Sequence, residues 1–216
     1  MYQTVLFDLD GTLLNTLDDL ADAVNATLST HGYPVRTIEE IRRFVGNGIR
    51  SLVSLSLPCG EETPNFEEIL ADFRTYYASH AEVKTAPYAG MRELLLRLRE
   101  AGVRVAVVSN KFEAAVEALC RRYFDDLVEV AIGDRPDRAR KPAPDGVFAA
   151  LAALGASRED AVLVGDAETD VATARAAGIP CIAVLWGFRD RDRLTGAGAT
   201  CFAETVGELE KMLLGA

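Results

Sequence analysis

Two acidic residues lie close together near the start of the chain, directly after an apolar run. Asp8 and Asp10 lie two positions apart in FDLDGT, after an apolar run that starts at Val5. A strand that continued through this stretch would point both carboxylates to the same face. Gly11 then lets the backbone turn away sharply, and Thr12 adds a hydroxyl. An ordinary surface turn that happens to hold two aspartates would have the same letters.

Carboxylates at this position favour a metal site. Ligands of open α/β sheets bind beyond the carboxyl ends of the strands. A divalent cation relieves the repulsion between neighbouring carboxylates, and a hard ion such as Mg²⁺ prefers oxygen ligands. The sequence therefore predicts Mg²⁺ close to Asp8 and Asp10.

Polar groups of a different kind follow a second apolar run, residues 103–108. They are Ser109, Asn110 and Lys111, which precede a predicted helix. A hydroxyl, an amide and the N–H groups of a helix start would form a cradle for an anion. Ser and Asn are also common helix caps, so capping alone would explain them.

Lys141 lies in the loop 133–144, directly before Pro142. Prolines stiffen the backbone and restrict the residue that precedes them. A lysine held in this way can neutralise charge on a phosphoryl group. The alternative is a solvated lysine in a basic loop.

A second acidic cluster follows the apolar run 161–164. Asp166 and Asp170 lie in GDAETD, and they would complete an oxygen-rich metal site at a neighbouring strand end. Helix capping by Asp166 and compensation of the helix dipole by Glu168 would explain the same letters.

These groups can meet only if the elements before them form one sheet. Apolar runs alternate with segments of helical periodicity from residue 85 to the end of the chain, which predicts a parallel sheet between helices. The expected fold is α/β, a Rossmann-like doubly wound parallel sheet. Strands are predicted at 5–9, 103–108, 128–132, 161–164, 181–185 and 199–202, and helices at 91–98, 112–121, 145–154, 168–177 and 206–214.

Residues 16–84 interrupt this alternation. Helices are predicted at 16–31, where Thr16 would cap, and at 37–45, 49–57 and 66–79. The segment is far longer than a strand-to-helix connection needs. We therefore predict a core domain, 1–15 and 85–216, with an inserted all-α domain, 16–84.

Charge and composition limit the partners. The formal net charge is −10, from 23 basic and 33 acidic residues, which argues against nucleic acid. No apolar run approaches the roughly 18 residues that span a bilayer. The first strand starts almost at Met1, so we expect no signal peptide and a cytoplasmic protein.

Cysteine and histidine chemistry is not expected. The four cysteines form no C-x-x-C, and we expect reduced, mostly buried thiols. His31 and His80 are the only histidines and have no nearby ligand partner in sequence. A histidine zinc site or a Ser-His-Asp triad is therefore not expected.

The motifs in this order resemble the haloacid dehalogenase superfamily, specifically its phosphatase branch with a helical cap. The resemblance covers essentially the whole chain. VGNG at 45–48 and WGFRDRDRL at 186–194 look most like members of the phosphoglycolate phosphatase type. Ala167 departs from the pattern, since many relatives have Ser or Thr there, and this puts the tuning of the metal in doubt. The motifs are FDLDGT at 7–12, SNK at 109–111, KPAPD at 141–145 and GDAETD at 165–170.

The resemblance implies a role for each motif. Asp8 would be the nucleophile, and Asp10 would protonate the leaving group and then activate water. Lys141 would act with them, and Arg43 and Asn47 of the cap are candidates for contact with the substrate. The implied metal ligands are Asp8, the Asp10 carbonyl, Asp166 and Asp170, and the implied substrate-binding residues are Thr12, Ser109, Asn110 and Lys111.

The leading hypothesis is a Mg²⁺-dependent phosphomonoesterase acting on a small phosphate ester, with 2-phosphoglycolate the first guess. The alternative is a sugar phosphomutase of the β-phosphoglucomutase type, which no residue excludes. A carbon dehalogenase is disfavoured, because that branch generally lacks the second aspartate and needs no metal. A non-enzymatic module is disfavoured by the complete catalytic set. The expected state is a monomer or homodimer.

Overall fold

The computed structural model describes residues 2–215, which divide into two compact units. One unit takes in the chain up to Leu14 and again from Pro87 onward, and the other is Asn15–Ala86. The sequence predicted the insertion at 16–84. We call the first the sheet unit and the second the helical unit.

A parallel sheet of six strands forms the centre of the sheet unit, in the order β5-β4-β1-β6-β7-β8. Every neighbouring pair in this sheet runs parallel. The predicted α/β fold is therefore confirmed. The strands are β1 Thr4–Phe7, β2 Leu14–Asn15, β3 Ala86–Pro87, β4 Arg104–Phe112, β5 Val130–Asp134, β6 Ala161–Gly165, β7 Cys181–Val184 and β8 Phe202–Ala203, of which β2 and β3 pair separately where the chain leaves and re-enters the sheet unit.

Strand β1 is central because its side chains are apolar on both faces. Val5 and Phe7 pack into one hydrophobic cluster with Leu95, whereas Leu6 packs into a second cluster with Val147. Buried parallel strands have apolar runs of this kind, since helices cover both faces. The helices of this unit are α5 Met91–Glu100, α6 Glu113–Phe124, α7 Asp145–Leu154, α8 Glu168–Ala177, α9 Arg191–Gly196 and α10 Val206–Leu214.

Two local features of the sheet unit were missed by the sequence analysis. Helix α6 begins at Glu113, and Ser109 to Lys111 belong to β4, so the strand predicted at 103–108 continues as far as Phe112. The pairing of β4 with β5 shifts register between Val108 and Phe112, which lets the strand continue past its apolar run. The six-residue α9, which the sequence did not predict, begins where the Asp190 side chain accepts a hydrogen bond from the Arg193 N–H.

The helical unit contains α1 Leu17–Thr30, α2 Ile38–Phe44, α3 Gly48–Ser56 and α4 Phe66–His80. Helix α2 begins with a reciprocal capping box between Thr37 and Glu40. The predicted cap at Thr16 is wrong, because its buried hydroxyl makes no capping hydrogen bond to α1.

The four cysteines are free, as expected, but only Cys120 is buried. The expectation of mostly buried thiols is wrong, since Cys59 is exposed and the other two are partly exposed. Among residues 2–215, no helix has both the length and the apolar character to cross a bilayer.

Asp19 connects the two ends of the helical unit. Its carboxylate is 1% exposed and accepts hydrogen bonds from the backbone N–H groups of Lys84, at 2.9 and 3.0 Å, and Thr85, at 2.8 Å. The segment that leaves the unit is thereby fixed to the first turn of α1. A buried carboxylate with these donors stabilises backbone groups that would otherwise lose water without replacement.

We expect Asp19→Ala to lower the free energy of unfolding by about 2 kcal/mol or more, because two N–H groups lose a charged acceptor. The control is Asp22→Ala on the same helix, which removes an exposed ion pair with Lys84 and should cost under about 1 kcal/mol. Urea denaturation followed by circular dichroism measures both. Equal midpoints for the two variants would contradict this role of Asp19.

Candidate active site

Three carboxylates converge at the carboxyl ends of β1 and β6. Asp8 directly follows β1, and Asp166 and Asp170 follow β6. The two strands are adjacent and parallel, so the residues after them meet at one edge of the sheet. One carboxylate oxygen of each residue lies within 4.8 Å of the others, and all three side chains are buried.

Lys141 lies between two of these acids. Its Nζ donates to Asp8 Oδ1 and to Asp170 Oδ1, at 2.7 Å each, and its side chain is 3% exposed. Asn110 fixes the loop that carries it, since Asn110 Nδ2 donates to the Lys141 carbonyl at 3.1 Å. The alternative of a solvated lysine is wrong.

The cluster holds three carboxylates against one ammonium group, and burial perturbs their protonation. Burial raises the pKa of Asp8 from 3.8 to about 8; Lys141 opposes this rise, and Asp170 and Asp166 add to it. Burial, followed by the neighbouring Asp170, raises the pKa of Asp166 to about 7. Burial alone would lower the pKa of Lys141, but Asp170 and Asp8 outweigh it and the pKa lies above its ordinary value. Positive charge is therefore in deficit at this site.

Hydrogen bonds orient the two acids after β6. Asp166 accepts from the Thr12 hydroxyl at 3.1 Å and from the Phe188 N–H at 2.7 Å. Asp170 accepts from the Ala167 N–H at 3.0 Å, and Ala167 is the residue that precedes α8. The alternative of Asp166 as the helix cap is wrong. Thr12 is fully buried, and its hydroxyl orients Asp166.

Glycines let the backbone approach Asp166 from two sides. A Cβ on Gly11 would lie 2.3 Å from Asp166 Oδ2, and one on Gly187 would lie 2.3 Å from Asp166 Cβ. Gly11 also has a φ of +89°, in the region that favours glycine. Any larger residue at either position must displace this carboxylate.

The Asp10 side chain lies outside the three-carboxylate cluster. Its two oxygens accept from Lys111 Nζ at 3.0 and 3.2 Å, and the Lys111 side chain is 5% exposed. The position of Lys111 is fixed in part by its N–H, which donates to the Ser109 hydroxyl at 3.2 Å. Asp10 therefore lies beside the cluster with a cation of its own.

The donor set fits a hard divalent cation. Asp8, Asp166 and Asp170 offer carboxylate oxygens only, and Mg²⁺ takes such ligands. A cation would also offset the burial and, after it, the repulsion between carboxylates that raise the pKa of Asp8 and Asp166. Among residues 2–215, these three side chains form a carboxylate cluster that could hold a metal.

Arg43 and Asn47 belong to the helical unit, where both are exposed and stay candidates for substrate contact. Their neighbour Arg50 donates to Glu61 and Glu67 within the same unit. Sequence reasoning missed Phe188 as a contact of Asp166. It acts through its backbone N–H, and no side-chain type reports such a contact in advance.

Comparison with known proteins identifies relatives along most of the chain. Residues 5–184 match the haloacid dehalogenase-like hydrolase family. A phosphoglycolate phosphatase of Mesorhizobium japonicum is 34% identical over 195 residues, which cover 87% of this chain and 84% of that protein.

Solved structures show the same similarity. A candidate phosphoglycolate phosphatase of Lactobacillus delbrueckii subsp. bulgaricus superposes with a TM-score of 0.95 at 34% identity, over 100% of this chain and 99% of that one. The CbbY protein of Rhodobacter sphaeroides, in complex with phosphate, has a TM-score of 0.80 at 27% identity, over 97% and 96% of the two chains.

The raised pKa values predict how the stability of the metal-free protein depends on pH. Between the ordinary and the raised pKa values, the folded state binds protons that the unfolded state has already released. The contribution of the Asp8 and Asp166 carboxyls to the free energy of unfolding is therefore fully present below about pH 4 and is lost as the pH rises through 7 to 8. We expect a fall on the order of a few kcal/mol between pH 5 and pH 8.5 in EDTA.

Asp166→Asn should make the free energy of unfolding less dependent on pH, because one of the two titrating carboxyls is gone. Asp192→Asn, at an exposed position in α9, should leave it unchanged. Urea unfolding at each pH measures the effect. A slope that is the same in both variants would contradict the assignment.

Proposed function

The chain belongs to the haloacid dehalogenase-like hydrolase family and is a phosphatase, and we propose that it is a Mg²⁺-dependent phosphomonoesterase that uses Asp8 as its nucleophile. The observation that carries the proposal is the buried contact of Lys141 with Asp8 and Asp170 beside Asp166. An ammonium group at this point reduces the repulsion between an anionic nucleophile and an anionic ester, which would otherwise be strong in a pocket without water.

The reaction has two steps. An Asp8 carboxylate oxygen forms a bond to phosphorus as the ester P–O bond breaks, and Asp10 donates a proton to the departing alkoxide. Asp10 then accepts a proton from water, whose oxygen attacks phosphorus and releases Asp8 and inorganic phosphate. Lys111 holds the Asp10 carboxylate in place beside the nucleophile.

Asp8, Asp166 and Asp170 would hold Mg²⁺, with the Asp10 carbonyl as a further proposed ligand. When bound, the ion supplies charge stabilisation for the phosphoryl oxygens. Ser109, Asn110 and Lys141 are proposed to bind those same oxygens. The deficit of positive charge among the three acids supports the proposed Mg²⁺ site.

The proposed substrate is 2-phosphoglycolate. The support is the similarity to a protein named phosphoglycolate phosphatase, which is 34% identical over 87% of this chain and 84% of that protein. The helical unit is proposed to select the substrate, with Arg43 and Asn47 as its candidate contacts. A sugar phosphomutase would share the nucleophile but must keep water from the aspartyl-phosphate.

Asp8→Asn should lower kcat by at least about 10³-fold, because an amide cannot serve as the nucleophile. Asp192→Asn is the matched control and should retain full activity. Phosphate release measures turnover, and circular dichroism checks that both variants fold. Substantial activity in a folded Asp8→Asn variant would exclude the mechanism.

A screen of phosphate esters tests the substrate and the metal together. We expect 2-phosphoglycolate to give the highest kcat/KM, with activity lost in EDTA and restored by Mg²⁺. Sugar monophosphates and bisphosphates belong in the same screen. Interconversion of sugar phosphates without release of phosphate would favour the mutase instead, and activity insensitive to EDTA would exclude a metal.

A further inference from the structure

The loop between β7 and α9 contacts the candidate site at several points. It runs from Leu185 to Asp190, and the Trp186 indole N–H donates to the Thr12 carbonyl at 3.1 Å. Two positions later, the Phe188 N–H donates to Asp166 Oδ2 at 2.7 Å. The loop therefore contacts both the residue after Gly11 and one of the three clustered acids.

A buried ion pair fixes the far end of this loop. Arg189 is 5% exposed, and its Nε donates to Glu168 Oε2 at 2.9 Å. The other oxygen of Glu168 lies 2.5 Å from Arg193 Nη2 in α9. A guanidinium is buried to this extent at a cost unless it is well paired, so the contact requires close geometry.

The two contacts are close together along both segments. Asp166 and Glu168 are two positions apart, and their partners Phe188 and Arg189 are adjacent. The ion pair and the hydrogen bond to Asp166 thus link the same two short segments side by side. Gly187 completes the fit, because a Cβ there would lie 2.3 Å from the Asp166 Cβ.

We propose that Arg189 and Glu168 are positioning residues, whose ion pair holds the Phe188 N–H against Asp166 and so presets this carboxylate for a divalent cation. The inference rests on the proposed function for the identity of the cation. Neither residue contacts the substrate in this proposal; both act through Asp166. Outer contacts of this kind commonly change metal affinity by about 10–100-fold when they are removed.

The test compares Arg189→Met and Glu168→Gln with Arg191→Met. Arg191 is a neighbour whose exposed pair with Glu204, at 2.8 Å, is the matched control. The first readout is hydrogen exchange of the Phe188 amide in the metal-free protein, where both variants should lose protection by at least about 10-fold. The second is the Mg²⁺ Kd by titration calorimetry, which should rise by about 10–100-fold.

Arg189→Lys should restore part of the affinity, because an ammonium can still pair with Glu168. Glu168→Gln keeps the shape of a half-exposed side chain and tests the proposal even where Arg189→Met does not fold. An unchanged exchange rate at Phe188 would overturn the proposal, as would equal loss of Mg²⁺ affinity in Arg191→Met.

The two proposals fail in different ways. If the unsubstituted protein shows no Mg²⁺ binding, the proposed function fails, and the exchange rate at Phe188 in the metal-free variants still decides whether the ion pair positions Asp166. If Mg²⁺ binds equally well to every variant, the metal assignment stands and the positioning role is overturned.

Discussion

The site depends on one buried ammonium group placed between carboxylates. Lys141 donates to Asp8 and Asp170 at equal distances of 2.7 Å, and these acids follow different strands. Without this cation the sheet edge would hold three buried carboxylates, an arrangement that electrostatic repulsion and desolvation both oppose. With it, the edge still lacks positive charge, and that remaining deficit favours the binding of a further cation.

The same constraint explains the backbone around Asp166. Charge can be concentrated here only if each carboxylate oxygen has a donor, and the donors are a hydroxyl from one loop and an N–H from another. Both loops must approach closely, which is why Gly11 and Gly187 lie where a Cβ would collide with Asp166. The hydrogen bonds to Asp166 and the close packing around it therefore depend on each other. A larger residue at Gly11 or Gly187 would disturb both.

The sequence predicted the strands of the sheet well, because the position of each strand depends on local signals. Apolar runs mark buried strands, and the acids after β1 and β6 are placed by strand position alone. Contacts made by the backbone were not predictable in the same way. The aromatic side chain of Phe188 gives no sign that its backbone N–H donates to Asp166. The extension of β4 was missed because Ser109 and Asn110 are also common helix caps. Only the register shift against β5 shows that the strand continues through them.

The position of β1 within the sheet has a consequence for how the protein is made. This strand comes before its neighbours along the chain, yet it pairs with residues that start at Arg104 on one side and Ala161 on the other. A ribosome must therefore synthesise most of the polypeptide before β1, the strand that Asp8 follows, has both edges covered. Nascent chains shorter than this expose an unpaired apolar strand edge, which favours aggregation and chaperone binding. The sheet edge that carries the three acids therefore forms late in biosynthesis.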